Sequence, residues 1–184
     1  DNSGTISGDI FIDENASSAT IVNRAGGTLD GDVYLYSGTL DVEGGRIIGD
    51  VLGDGSSTVN FTGDFVTEGS FQADKISIDS GVTLTLADDL IGTVSNAGTL
   101  YVSRLNDERY DGAPFKVTPI LGNYRQEASA SLKIDLASTK SYSQLVIDGH
   151  ALFDSNAKID VNVIGTPELS IDSTIDDIVS AKSI

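Results

Sequence analysis

The chain predicts an all-β fold rich in tight turns, and three observations carry that expectation. The acids are lopsided, 22 Asp against 6 Glu, and 20 Gly accompany them. Helices favour Glu, whereas Asp bonds its own backbone in turns and Gly accepts positive φ. Gly and Asp punctuate short alternating runs such as Gly8-Asp9-Ile10-Phe11-Ile12 and Gly31-Asp32-Val33-Tyr34-Leu35. Two phrases also recur. One is Gly-Thr-aliphatic, at Gly4, Gly27, Gly38 and Gly98; the other is Gly-Asp-apolar, at Gly8, Gly31, Gly49 and Gly63.

The Gly-Asp copies lie 23, 18 and 14 residues apart, a loose period. Such a period in an alternating β sequence suits a parallel β-helix, each coil using three strands of ~5 residues and about 20 residues in all. An antiparallel sandwich or barrel also shows short strands at regular spacing and stays open at this point. Taken in order, the inward positions are Ile10 and Ile12, Val33 and Leu35, Leu40 and Val42, Ile76 and Ile78, then Val82, Leu84 and Leu86. Intervening positions are mostly Thr, Ser, Asp or Tyr, as one wet face requires. Phe61, Phe65 and Phe71 are expected to form a ladder of like residues along successive coils.

The formal charge of −17 over 184 residues disfavours nucleic acid and anionic membrane, since both need a basic footprint. No Cys and a single His exclude disulfides, thiolate metal sites and two-imidazole sites. No apolar run approaches the ~18 residues of a helical membrane span. The opening Asp1-Asn2-Ser3, without a charged-then-apolar leader, reads as an internal fragment. The charge is uneven: residues 1–103 carry net −13 and residues 104–184 net −4. All three prolines lie beyond residue 113, so the character of the chain changes near residue 105.

Residues 121–153 contain Gly122-Asn123-Tyr124-Arg125-Gln126, Leu132-Lys133-Ile134-Asp135-Leu136 and Gln144-Leu145-Val146-Ile147-Asp148-Gly149-His150-Ala151-Leu152; Ile159-Asp160-Val161 follows. This stretch resembles the C-terminal passenger segment of bacterial autotransporters, type V secreted proteins with pertactin-like β-helices. That segment pairs a Gly-Asn/Ser-Tyr-x-Gln strand with a Leu-x-Ile/Leu-x-Leu strand. After a loop come Asp-Gln-Leu-x-Val-x-Gly-x-Ala-x-Leu and a Leu-x-Val strand. Ile175-Asp176-Asp177-Ile178-Val179-Ser180-Ala181 is similar to the family's closing strand before the membrane barrel. Ser143 stands where the family has Asp, and Ala128-Ser129 and Asp154-Ser155 stand where Gly-Gly is common. The likeness is specific over roughly residues 82–184 and generic before that.

The resemblance implies a right-handed parallel β-helix, with residues 1–106 as coils and 107–184 as an autochaperone-like C-terminal region continuous with them. It implies a non-enzymatic stem that nucleates β-helix folding and supports secretion and display of an upstream passenger on a Gram-negative cell surface. The implied partners are the protein's own outer-membrane β-barrel, absent from this fragment, and the upstream passenger. No cofactor, nucleic acid or membrane insertion of this fragment is expected. The core candidates for nucleation are Tyr124, Leu132, Ile134, Leu136, Leu145, Ile147, Gly149 and Leu152. Energetics agree, because the first ordered coil of a solenoid carries an entropy cost that only later neighbours offset.

Other functions would each draw on particular residues. An adhesin face contacting host protein or glycan would use a Tyr-rich flat surface such as Tyr34 and Tyr36. A carbohydrate-active enzyme would use paired carboxylates, with Asp88-Asp89, Asp176-Asp177 and the Gly-Asp series as candidates, yet none has a basic or aromatic subsite in the sequence. Gly44-Gly45-Arg46-Ile47-Ile48-Gly49-Asp50 has the wrong spacing for a calcium repeat and contains a cation. His150, in Asp148-Gly149-His150, lacks a Gly-x-Ser-x-Gly elbow and reads as a strand-edge residue. Arg104, Arg109, Lys116, Arg125, Lys133 and Lys140, with Tyr101, Tyr110, Phe115 and Tyr124, read as local ion pairing because acids are interspersed.

Overall fold

Gly and Asp set turns between short alternating runs, and every regular element among the described residues is a strand. The computed structural model describes residues 1–16, 19–103, 117–165 and 172–184; these hold 21 strands and no helix. The first triplet is β1 (Thr5–Ser7), β2 (Ile10–Ile12) and β3 (Thr20–Asn23); the second is β4 (Thr28–Asp30), β5 (Val33–Leu35) and β6 (Gly38–Val42). Each strand pairs in parallel with its third successor, β1 with β4, β2 with β5 and β3 with β6. The next triplet, β7 (Arg46–Ile47), β8 (Val51–Gly53) and β9 (Ser57–Phe61), stacks in the same way.

Beyond it the second and third places merge. β10 (Phe65–Val66) is followed by β11 (Phe71–Ile78), whose start pairs β8 and whose end pairs β9, with a register shift between Gln72 and Lys75. β12 (Thr83–Leu86) and β13 (Leu90–Asn96) repeat this pattern. β14 (Thr99–Val102) then precedes β15 (Val117–Leu121) and β16 (Tyr124–Gln126), which lie on the two halves of β13. β17 (Ser131–Ser138), β18 (Ser141–Tyr142) and β19 (Gln144–Phe153) come next, and β20 (Lys158–Val163) and β21 (Val179–Ser183) close the series on β17 and β19.

Among the described residues every strand pairing is parallel except β17 with β18. That removes the antiparallel sandwich. The 106/107 division falls in 104–116, outside the described residues, but parallel pairings run across it from β14 to β17 and from β13 to β16.

The core is a column of aliphatic side chains between the strand faces. Val33, Leu35, Leu40, Val42, Ile76, Ile78, Val82, Leu84 and Leu86 are buried as their alternation predicts. Ile10 and Ile12 are half-buried, because their level has a neighbour on one side alone. Each fully buried aliphatic contributes about 1.5–3 kcal/mol. Phe61, Phe65 and Phe71 differ from the expected ladder. They belong to β9, β10 and β11, one from each strand place, and meet across the interior with ring centroids 5.3–5.8 Å apart. Consecutive places, rather than successive levels, supply the three rings.

The Gly-Asp repeat has a structural cause. Asp9 Oδ1 accepts the Asp32 N–H, Asp32 Oδ1 accepts the Asp50 N–H, and Asp50 Oδ1 accepts the Ser70 N–H, at 3.0, 2.9 and 2.8 Å. These rungs lie 23, 18 and 20 residues apart, so the fourth is Gly69-Ser70 and not Gly63-Asp64. Asp64 instead accepts the Thr83 N–H at another corner.

Candidate functional site

The segment carrying the sequence signature, β16 to β20, is built level on level. Leu132 lies in register between Leu100 and Ile159, and Ile134 between Val102 and Val161. Both are 0 % exposed, and Leu136 beside them is buried. Leu145 sits between Thr118 and Val179, and Ile147 between Ile120 and Ala181; both face the core. Tyr124 lies between Val94 and Ala151, with its ring edge-on to Phe153 at 5.9 Å.

Two candidates place no side chain in the core. Gly149 lies within β19, which continues to Phe153. A Cβ there would overlap the carbonyl oxygen of Gly122, and a Cβ on Gly122 would overlap that of Gly92. The three glycines thus form a column where backbones approach too closely for any side chain. Leu152 is 55 % exposed, in register with exposed Arg125. Alternation along β19 places Leu145, Ile147, Gly149 and Ala151 inward, so Leu152 must point out. Ile159, Val161 and Val163 share the inward register of Leu132, Ile134 and Leu136, yet remain about half exposed, because β20 has β17 on one side alone.

Polar side chains inside the column were not anticipated. Asn96 Nδ2 donates to the Ser131 carbonyl at 3.0 Å and to the Tyr124 hydroxyl at 3.1 Å. The Tyr124 hydroxyl donates to Gln126 Oε1 at 3.0 Å, and Gln126 Nε2 donates to the Ala130 and Lys158 carbonyls. These amides bond the carbonyls of Ser131 and Lys158, which begin β17 and β20, and of Ala130 just before β17. Burial pushes the Tyr124 hydroxyl well above its ordinary range, against the hydrogen bond from Asn96. At the other end Asn2 Nδ2 donates to Asn23 Oδ1 at 2.9 Å. One sequence signal could have found them: in Asn2-Ser3-Gly4 and Asn96-Ala97-Gly98 the Asn Oδ1 accepts the Gly N–H, so the Gly-Thr phrase begins two residues earlier.

A second polar group lies outside the column. Asp135 is 4 % exposed; Tyr101 donates to its Oδ1 at 2.7 Å and Asn162 Nδ2 at 2.6 Å. The Lys133 ammonium lies 4.5 Å from the Tyr101 ring centroid. Burial first, then the bond to Asp135, raises the Tyr101 pKa, so the phenol stays a donor near neutrality. The Ser103 hydroxyl also donates to Asp135 Oδ2 at 3.4 Å, so the carboxylate is held by hydrogen bonds on both oxygens.

The remaining candidates are dispersed. His150 Nδ1 and Ser183 Oγ are 2.5 Å apart as exposed cross-strand neighbours, while Asp148 on the same outward row pairs with Lys182. Arg125 pairs with Asp154, and Lys140 is exposed. Arg104, Arg109, Tyr110, Phe115 and Lys116 lie outside the described residues. No group of three metal-ligating side chains occurs among the described residues, Asp88-Asp89 and Asp176-Asp177 included. No helix among them is long and apolar enough to cross a membrane.

Two features do converge. One is the C-terminal set of buried levels around Tyr124, Leu132 and Leu145. The other is an outward row on the face of β2, β5 and β8, where Phe11 stacks on Tyr34 at 4.5 Å with rings 3° from parallel and Tyr36 lies 6.3 Å beyond. The chain matches no protein-family model, no curated protein and no solved structure.

Proposed function

We propose that the strand triplets wind as a right-handed parallel β-helix, and that the chain is the non-enzymatic C-terminal stem of an autotransporter passenger. In this reading residues 107–184 nucleate the winding, upstream levels add in turn, and the ordered stack supports secretion and display at a Gram-negative cell surface. The partners are then the protein's own outer-membrane β-barrel and the upstream passenger. The right hand follows from strand twist, which makes nearly all parallel crossovers right-handed.

One observation carries the reading. The residues of the signature, Tyr124, Leu132, Ile134, Leu145 and Ile147, occupy successive inward rungs stacked in parallel register on the β13 and β14 level. A template must present just such a formed edge to the next level, because each added triplet then gains pairing and burial at once. The test is Leu145→Asp in the full-length parent, assayed for surface passenger by protease accessibility of intact cells. The expected result is lost display with the barrel inserted, as read by heat-modifiable migration. Normal display of a passenger that folds poorly would reject nucleation.

A binding role beside the stem is favoured by the stacked, solvent-facing rings of Phe11 and Tyr34. That role leaves the stem intact and uses a different face.

A further inference from the structure

The outward row that begins at Phe11 carries an aromatic or aliphatic side chain at five of its six levels. Phe11, Tyr34, Leu52, Gln72, Ile91 and Leu121 stand in one continuous register, and Gln72 alone is polar. Outward positions of a strand normally meet water and carry polar side chains, as the Thr20, Thr39 and Thr58 row does on the neighbouring face. Phe11 is 64 % exposed and Leu121 43 % exposed, so the row is open at both ends. At the strand spacing of ~4.8 Å it extends about 24 Å.

Carboxylates border it on both sides. Asp9, Asp32 and Asp50 precede the first three members by two residues, and Asp13, Asp54 and Asp74 follow three of the six by two. The described arginines of these levels are engaged elsewhere, Arg24 with Asp1 and Glu43, and Arg46 with Glu68. The acids around the row also raise the Tyr34 pKa, after burial. An aromatic and aliphatic strip between two acidic borders is complementary to a chain carrying both apolar and cationic side chains: the strip desolvates the former, and the carboxylates and ring faces attract the latter.

We propose that this face docks a basic polypeptide segment, with arginine or lysine alternating with apolar residues, laid along the row from Phe11 to Leu121. The proposal rests on the binding reading and is independent of the stem. An extended segment of about seven or eight residues spans it.

The test is fluorescence anisotropy of the purified chain with a labelled peptide of about eight residues alternating arginine and leucine, beside a glutamate-leucine counterpart. Binding of the first and not the second is expected. Phe11→Ser with Tyr34→Ser should weaken binding about tenfold or more, and so should Asp54→Asn with Asp74→Asn. Ile48→Ser, on another face, should leave it unchanged, with circular dichroism confirming the fold of each variant. Equal binding by the Phe11/Tyr34 variant would reduce the effect to general attraction by a polyanion and overturn the proposal. Preference for a neutral oligosaccharide such as cellopentaose over the arginine peptide would overturn it in favour of a glycan. Because the assay uses the isolated chain, its failure leaves the display experiment untouched.

Discussion

Thr118 Oγ1 and Ser143 Oγ are the buried side-chain oxygens without a hydrogen-bond partner among the described residues. Thr118 faces the core in register with Leu145, where a methyl would fill the same space. Thr118→Val should therefore stabilise the chain by about 1 kcal/mol, the cost of an unmade buried bond. A raised urea midpoint with an unchanged slope would show it; a lowered midpoint would mean that the hydroxyl is satisfied. Tyr124 supplies a pH dependence. Its folded pKa is raised by burial, so its contribution is complete below the ordinary tyrosine value of about 10 and declines as pH climbs above it. The loss approaches about 1.4 kcal/mol per pH unit for this one group. Tyr124→Phe should be less stable at neutral pH, since Asn96 and Gln126 lose a partner, but should show a shallower alkaline decline. Parallel stability–pH curves for the two proteins would refute this.

At the scale of one element, β19 separates what alternation reveals from what it misses. The pattern Leu145, Val146, Ile147 was enough to place Leu145 and Ile147 inward. Leu145→Asp buries an unpaired carboxylate, costs several kcal/mol and should unfold the C-terminal levels. Val146→Asp points outward and should shift the melting temperature only slightly. Leu152→Asp should be equally mild, although the resemblance marks Leu152 as core. Melting of the three variants by circular dichroism checks the register, and a large loss in the Leu152 variant would refute it. The sequence marked Leu152 through the resemblance; the structure places it by the unbroken two-residue alternation through Gly149, which no turn interrupts. Gly149 itself was legible as a candidate but its cause was not, since close approach to Gly122 is a contact between residues far apart in sequence.

For the whole molecule, parallel stacking makes each level depend on its neighbours, and a useful cut must respect level boundaries. A division after residue 106 separates β14 from β15 and β16, which complete its level, and strips β17 of its Leu100 and Val102 partners. Residues 97–184 should therefore melt cooperatively and at higher temperature than residues 107–184. A higher melting point for the shorter piece would show that β14 adds nothing. The sequence by itself determined the strand character, the inward residues of β5, β6 and β12 and the first three Gly-Asp corners, because alternation and Asp-Gly turn chemistry act within a few residues. Only the tertiary structure decided the parallel pairing, the substitution of Gly69-Ser70 for Gly63-Asp64 in the Asp ladder, the Asn–Tyr–Gln chain in the core and the apolar outward row from Phe11 to Leu121. All four join residues from different levels. The number of residues per level varies, so spacing along the chain does not say which residues will meet; stacking the levels does.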